Sequence, residues 1–164
     1  TRLNYNIRSQ DYRAGLANVC QFTGLMGRWQ KVHSYPDIIC DTGHNVDGIE
    51  YIHVQLNAIH KTFDQEIHIV FGMVNDKDIR GVLRALPKYA TYYFTKASVK
   101  RALPENELLA LAEEAGLKGT TYPTVVEAVQ AAKKNCPPKD LIFVGGSSFI
   151  VADLLANRDT LNLY

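Results

Sequence analysis

Cysteine is scarce. The 164 residues hold three, Cys20, Cys40 and Cys136, and no two of them form a Cys-x-x-Cys pair. An odd, scattered set argues against a disulfide framework and suits a reducing compartment, so a cytoplasmic location is expected. Long apolar runs are missing too. None approaches the roughly 18 residues that cross a bilayer, and the polar opening TRLNYNIRSQ has no signal-peptide core, so no membrane partner is expected. That opening also lacks methionine, and the chain is expected to be an excised fragment or a processed product. Nor is there an excess of one charge. Eighteen basic residues against 17 acidic leave a net charge of +1, without the electrostatic footprint of a nucleic-acid binder, and no nucleic acid partner is expected. Neither a dinucleotide fingerprint (G-x-G-x-x-G) nor a phosphate loop (G-x-x-x-x-G-K-[ST]) occurs. If ATP takes part, another domain must cradle its phosphates.

What is present suits one compact domain: 46% hydrophobic and 21% charged residues, with no repeat and no low-complexity tract. Residues 1–10 are expected to be a linker or remnant, and residues 11–164 the domain. A helix is expected over DYRAGLANVCQFTG, then the basic, aromatic GRWQKVHSY, then a buried strand DIIC. Val46, Ile49, Ile52, Leu56 and Ile59 follow at spacings of three and four, the apolar stripe of a helix lying on a sheet. Its polar face carries His53, Asn57 and His60. Strands EIHIVF and YATYYFT alternate with helices DIRGVLRALP and PENELLALAEEAG, the latter opening on proline and acids and stopping at glycine. Thr124 to Glu127 is a capping box for VVEAVQAAKK, which Cys136-Pro-Pro ends. DLIFVGGSSFIVADLLA reads as strand, glycine turn and helix. This alternation predicts an α/β, Rossmann-like three-layer domain with a mostly parallel sheet of about six strands and helices on both faces. The closely spaced segments WQKVHSY and DIIC are expected to form one antiparallel pair.

In such a sheet, ligands gather where strands end and helices begin. Three stretches qualify: CDTGHN, FGMVNDKD and VGGSSF. Asp41-Thr42-Gly43 matches the signature of aspartic proteases, but that chemistry needs paired carboxylates in an antiparallel β-fold, and here a helix follows at once. A metal site through Cys40, His44 and His53 or His60 is disfavoured, because Cys40 points opposite to Asp41 and the later histidines are expected on a solvated helix face. Gly-Gly-Ser-Ser lacks the G-x-S-x-G elbow of a serine nucleophile. Its turn could hold an anion at a helix N-terminus, or Ser147 could be an ordinary helix cap. Lys77 and Arg28 are cations that could meet an anionic ligand or pair with surface acids.

Taken in order, MGRWQ, DIICDTGHNVDGI, VNDKD, TKASVKRALPENELLALA and DLIFVGGSSFIVADLL resemble the C-terminal domain of the folylpolyglutamate and dihydrofolate synthases, within the Mur ligase superfamily. The resemblance covers nearly the whole chain. That family shows Gly-Arg, a strand ending in Asp-x-Ala-His-Asn-Pro, then Asp-Lys-Asp, a Pro-Arg-Ala segment, and a last strand leading to Gly-Ser. Here Gly43 replaces the usual alanine, Val46 the usual proline, and Lys100-Arg101-Ala102 the Pro-Arg-Ala. Proline at a helix start is a geometric convenience, so its loss leaves the matches at Asp41 and His44 intact.

The resemblance implies an ATP-dependent ligase that joins L-glutamate to a folate carboxylate through an acyl phosphate, with ATP and Mg²⁺ as cofactors. It implies that the phosphate loop and metal ligands belong to an N-terminal or central ATPase domain of the same polypeptide, so that this fragment alone is inactive. Arg28 and Asp41 match nucleotide-contacting positions, and His44 and Asn45 lie near the phosphates and incoming glutamate. Ser147 matches a position near the glutamate carboxylate. Lys77 falls in the Asp-Lys-Asp motif without an assigned role. His44 and Asp41 are the implied catalytic residues, and no residue here is expected to bind metal. The alternative is a stand-alone Rossmann-like ligand-binding or regulatory module without catalysis.

Overall fold

Alternation along four of its six strands builds the centre of the molecule. The computed structural model describes residues 7–75 and 78–163. In chain order the elements are α1 (Ser9–Ala17), α2 (Val19–Thr23), β1 (Gln30–His33), β2 (Asp37–Asp41), α3 (Val46–Phe63), β3 (Ile67–Phe71), α4 (Ile79–Ala85), β4 (Thr91–Phe94), α5 (Glu105–Glu114), β5 (Gly119–Thr121), α6 (Val125–Asn135), β6 (Leu141–Gly145) and α7 (Ser148–Ala156). They form one six-stranded sheet in the order β1-β2-β6-β3-β4-β5. Only β1 with β2 is antiparallel, as the short connection between them requires; all other pairs are parallel.

Period two sorts the side chains between two cores. Ile39, Ile67, Ile69, Phe71, Tyr92, Phe94, Leu141 and Phe143 face the layer of α3, α4 and α5, while Ile38, Cys40, Val70, Tyr93, Ile142 and Val144 face α6 and α7. With both faces covered, β3 and β6 are buried along their entire length, as central parallel strands must be. The helices supply the complementary stripes. α3 buries Ile49, Ile52 and Leu56, and α6 buries Val125, Ala128, Val129 and Ala132. Each fully buried Ile or Leu contributes about 1.5–3 kcal/mol relative to an exposed one. Thr124 caps α6 as expected, the Glu127 N–H donating to Thr124 Oγ1 at 3.2 Å, but the reciprocal bond of a capping box is replaced: the Thr124 hydroxyl, not its backbone N–H, donates to Glu127 Oε2 at 3.2 Å.

Two segments differ from the sequence expectation. The helix expected over residues 11–24 is two short helices that break at Asn18, whose side-chain amide donates back to the Ala14 carbonyl at 2.8 Å. Neither α1 nor α2 buries a residue. The other is β5, Gly119–Thr121, an exposed edge of three residues with no apolar alternation to mark it.

Candidate functional site

Three adjacent strands end level with one another. Asp41 of β2 and Phe71 of β3 both pair with Gly145 of β6, so the loops that leave these strands emerge side by side. β2 and β3 lead to helices on one face of the sheet, whereas β6 leads to α7 on the other. Connections that part to opposite faces leave a crevice at the carboxyl ends of the strands, the usual place for a ligand in this architecture.

Asp41 is spent on building this edge. Its carboxylate accepts the Trp29 N–H at 2.7 Å through Oδ2 and the Gly43 N–H at 2.7 Å through Oδ1. The first bond holds Trp29 at φ 42°, a conformation unusual for any residue with a side chain. The Trp29 ring packs 6.0 Å from that of Phe143 in the core. Next to it, the Thr42 N–H donates to the Gly27 carbonyl at 2.9 Å. Gly27 has φ 71°, and a Cβ there would meet Thr42 Cγ2 at 2.8 Å and Val151 Cγ1 at 2.9 Å, so only glycine fits. These contacts stitch Gly27-Arg28-Trp29 onto Asp41-Thr42-Gly43. The Arg28 guanidinium is left in solvent, 4.0 Å from Asp41 Oδ1.

His44 is exposed, with Nδ1 3.0 Å from the Thr42 carbonyl oxygen. A carbonyl can only accept, so in the neutral ring Nδ1 carries the proton and Nε2 is a free acceptor. Asn45 caps α3, its Oδ1 accepting the Gly48 N–H at 2.9 Å, and Asp78 caps α4 by accepting the Gly81 N–H at 2.9 Å. Both belong to a cleft of about 240 Å³ lined by His44, Asn45, Val46, Asp47, Asp78 and Val82. Ser147 is 3% exposed, and its Oγ accepts the Phe149 N–H at 3.2 Å, which makes it the N-cap of α7. Lys77 lies outside the described residues.

The structure brings Arg28, Asp41, His44 and Asn45 onto one edge, with Ser147 buried in the turn that follows the neighbouring strand β6. It also brings in residues of TKASVKRALP, a segment matched to a motif in the sequence without a site role for any of its residues. The segment after β4 is bound to the segment after β3 by Asn75 N–H to Arg101 carbonyl at 3.1 Å and Leu103 N–H to Met73 carbonyl at 2.9 Å. It carries Lys96, paired with Glu105 at 2.9 Å, and Arg101, whose guanidinium sits 4.9 Å over the Phe149 ring in the first turn of α7. Ser98 donates through both its N–H and its hydroxyl to Asp153 of α7, each at 2.7 Å. The signal available in the sequence was the cation-rich TKASVKR directly after a strand.

The residues weighed for a metal do not converge. Cys40 is fully buried, and burial, reinforced by the charge of Asp41, pushes its thiol up to about 12. His53 and His60 are half-buried rather than solvated as expected. Their Nδ1 atoms lie 2.8 Å from the Ala85 carbonyl and 2.7 Å from the Gln65 carbonyl, and the His60 ring stacks on Tyr89 at 4.4 Å. The α3–α4 seam is close enough there to cover what sequence periodicity assigned to solvent. Among the described residues, no group of three or more His, Cys, Asp and Glu is placed to hold a metal ion. The protease alternative fails on the fold, since Asp41 ends a strand in a parallel pair with β6 and a helix begins five residues later. No helix among the described residues is long and apolar enough to cross a membrane.

Comparison with known proteins agrees with this architecture. Residues 27–148 match the family described as Mur ligase, glutamate ligase domain. The dihydrofolate synthase/folylpolyglutamate synthase of Buchnera aphidicola (subspecies Schizaphis graminum) is 34% identical over 143 residues, covering 85% of this chain and 33% of that protein. Among solved structures, Escherichia coli FolC in complex with DHPP and ADP superposes with a TM-score of 0.81 at 26% identity, over 97% of this chain and 36% of that one. The bifunctional folylpolyglutamate synthase/dihydrofolate synthase of Yersinia pestis, complexed with AMPPNP and a Mn ion, gives 0.78 at 25% identity, over 95% and 36%. This chain therefore spans about a third of the length of the relatives it matches. It belongs to the Mur ligase family as a C-terminal, glutamate ligase domain, related to the dihydrofolate synthase/folylpolyglutamate synthases.

Proposed function

We propose that this chain is the glutamate- and nucleotide-contacting domain of an ATP-dependent amide ligase that adds L-glutamate to folate, a folylpolyglutamate synthase. The observation that carries the reading is the level carboxyl edge of β2, β6 and β3, which presents Arg28 and His44 outward on a frame fixed by Asp41. In the reaction, the γ-phosphoryl group of ATP passes to a folate carboxylate, and the glutamate amine then displaces phosphate from the acyl carbon. Mg²⁺ supplies charge neutralisation for the phosphoryl group, and its ligands are assigned to the remainder of the polypeptide. Arg28, exposed beside the edge, offers a planar cation to the nucleotide. His44 presents Nε2 as an acceptor for a proton of the incoming amine. Asn45 and Ser147 fix the starts of α3 and α7, whose N-terminal amides favour anionic groups.

The test uses the complete polypeptide with Mg-ATP, a reduced folate and labelled glutamate. ATP-dependent incorporation of glutamate into folate is the expected result. The present chain by itself is expected to release no phosphate from ATP, since no phosphate loop occurs in it. Steady phosphate release from the purified chain, abolished by Asp41→Ala, would overturn the proposal.

A further inference from the structure

The segment between β4 and α5 contains no helix or strand, yet it is tied down along its length. Ser98 is bonded twice to one carboxylate of α7: its N–H donates to Asp153 Oδ2 and its hydroxyl to Asp153 Oδ1, each at 2.7 Å. Hydrogen bonds to an ionised acceptor are the strong class, and a pair of them fixes orientation as well as distance. The bonded pair lies at the surface, with Ser98 exposed and Asp153 half-buried, so it orders the segment more than it supports the core. Further along, the Ala102 N–H closes a turn on the Val99 carbonyl at 3.0 Å. What this anchoring presents is Arg101. Its guanidinium lies 4.9 Å over the ring of Phe149, two residues after Ser147 in the first turn of α7. β6, which leads into that turn, ends at Gly145 opposite Asp41 of β2. Arg101 therefore stands over the exit of the strand next to the one that delivers Asp41 and His44.

We infer that Asp153 is a positioning residue of the ligase site: through Ser98 it holds the segment after β4 against α7, and so sets Arg101 at the edge, where the guanidinium takes a carboxylate of the incoming glutamate. The inference rests on the proposed ligase reading for the identity of that amino acid. Glutamate brings two carboxylates to the reaction, and a guanidinium is the side chain that meets a planar carboxylate with two parallel N–H groups. Arginine carries five such donors, and contact with the Phe149 ring uses none of them while it fixes where the fork lies. Both Asp153 oxygens are taken up by Ser98, so its part is to place and not to bind.

Steady-state kinetics of the complete polypeptide, with glutamate and ATP varied in turn, test the inference. Arg101→Gln is expected to raise the KM for glutamate at least about tenfold and to leave kcat and the KM for ATP within about twofold, the mark of lost binding that ground and transition states share. Asp153→Ala should raise the same KM about fivefold through the displaced arginine. Asp153→Asn should stay within about twofold of the parent, because an amide can accept the Ser98 N–H and donate to its hydroxyl. The double variant decides how Asp153 acts: once Arg101 is Gln, Asp153→Ala should raise the glutamate KM no further. Effects that multiply in the double variant, or an unaltered glutamate KM in Arg101→Gln, would overturn the inference. So would an Asp153→Ala enzyme with lowered kcat and both KM values raised together, the pattern of a loosened fold. If Asp153→Ala does not fold, Ser98→Ala, which removes the hydroxyl bond alone, takes its place in the same cycle, with a smaller rise expected. A parent polypeptide that transfers no glutamate would sink the ligase reading and this inference with it, whereas normal transfer with an unmoved KM sinks this inference alone.

Discussion

The Asp41–Asn45 loop after β2 and the Gly145–Ser147 turn after β6 leave the sheet at the same level, yet they end in opposite environments. The first runs out to an exposed His44, with Arg28 beside it; the second ends on a buried Ser147. Asp41 and Ser147 use their oxygens on backbone N–H groups, while Arg28 and His44 keep donor and acceptor capacity toward solvent. The difference separates residues that shape the edge from residues that can meet a ligand, although a sequence motif places them side by side. Substitution in the inner rank should therefore appear first as lost stability, and in the outer rank as lost activity.

The largest effect is expected at Asp41. Its carboxylate is mostly buried and takes two N–H groups, and hydrogen bonds to a charged acceptor are worth about 1.5–3 kcal/mol each. Asp41→Ala should thus cost this chain about 3 kcal/mol or more in urea unfolding, with Asp41→Asn losing part of that because an amide offers only one acceptor oxygen. A full-strength fold in Asp41→Ala would return Asp41 to the outer rank.

His44→Ala should give the opposite pattern. In the complete ligase it is expected to lower kcat/KM at least about tenfold, equivalent to about 1.4 kcal/mol of transition-state stabilisation. In this chain it should change unfolding free energy by less than about 0.5 kcal/mol, as is usual for an exposed site. Normal turnover with a large stability loss would dissolve the division between ranks.

Ser147→Ala tests whether the inner rank also binds. Loss of the cap should cost about 1 kcal/mol, and Ser147→Gly less. If the turn in addition holds the glutamate carboxylate, Ser147→Ala raises the KM for glutamate and leaves that for ATP in place. An unaltered glutamate KM would make Ser147 a helix cap alone.

Much of this was legible in the sequence, and the failures have physical causes. The cap at Thr124, the stripe on α3, the antiparallel first pair and the position of Asp41 at a strand end follow from local spacing, and the structure contains them. What spacing cannot report is which polar groups are consumed. Asn45 stands as a site residue in the motif and proves to cap α3, whereas the cap at Ser147 was one of the two readings its glycine turn allowed. The half-burial of His53 and His60 depends on Tyr89, about thirty residues away in sequence, and no periodicity of α3 encodes it. Arg101 lies over Phe149 at the start of α7 next to a bridge between Val74 and Ala102, a pairing of two loops that no local spacing reports.

A smaller effect separates the buried histidine from the exposed one. His68 lies inside, Nδ1 3.0 Å from the Tyr93 hydroxyl, and burial lowers its pKa from the ordinary value near 6.5, against the opposing charges of Asp140 and Glu66. The folded state then holds fewer protons than the unfolded one between the two pKa values. Stability present above about pH 6.5 is lost as the pH falls through the folded pKa. Burial also lowers the pKa of His33, which acts in the same direction. His68→Gln, which can still bond Tyr93, should flatten the fall of the unfolding midpoint below pH 6.5. An unchanged slope would place the titration elsewhere.

The smallest effect is expected at Gly43, which stands between the ranks, at the place of the alanine in the motif that the segment resembles. Its φ is outside the left-handed region, so an alanine meets no backbone penalty. A Cβ there would come 2.7 Å from Ile52 Cδ1 and 3.2 Å from Asp41 Oδ1. The first neighbour is the tip of a flexible side chain and can turn away; the crowding offsets the roughly 0.4–1 kcal/mol that replacing glycine gains by restricting the unfolded chain. Gly43→Ala should consequently change stability by less than about 1 kcal/mol. Combined with Ile52→Val, which removes the crowding methyl, it should show a favourable coupling of about 0.5 kcal/mol or more. Such a coupling would mean that the Ile52 side chain occupies the space a methyl group at position 43 would take. A loss of several kcal/mol in both backgrounds would instead show that Asp41, pressed by the new methyl, had released the Trp29 and Gly43 amides, and that the inner rank admits no spare volume.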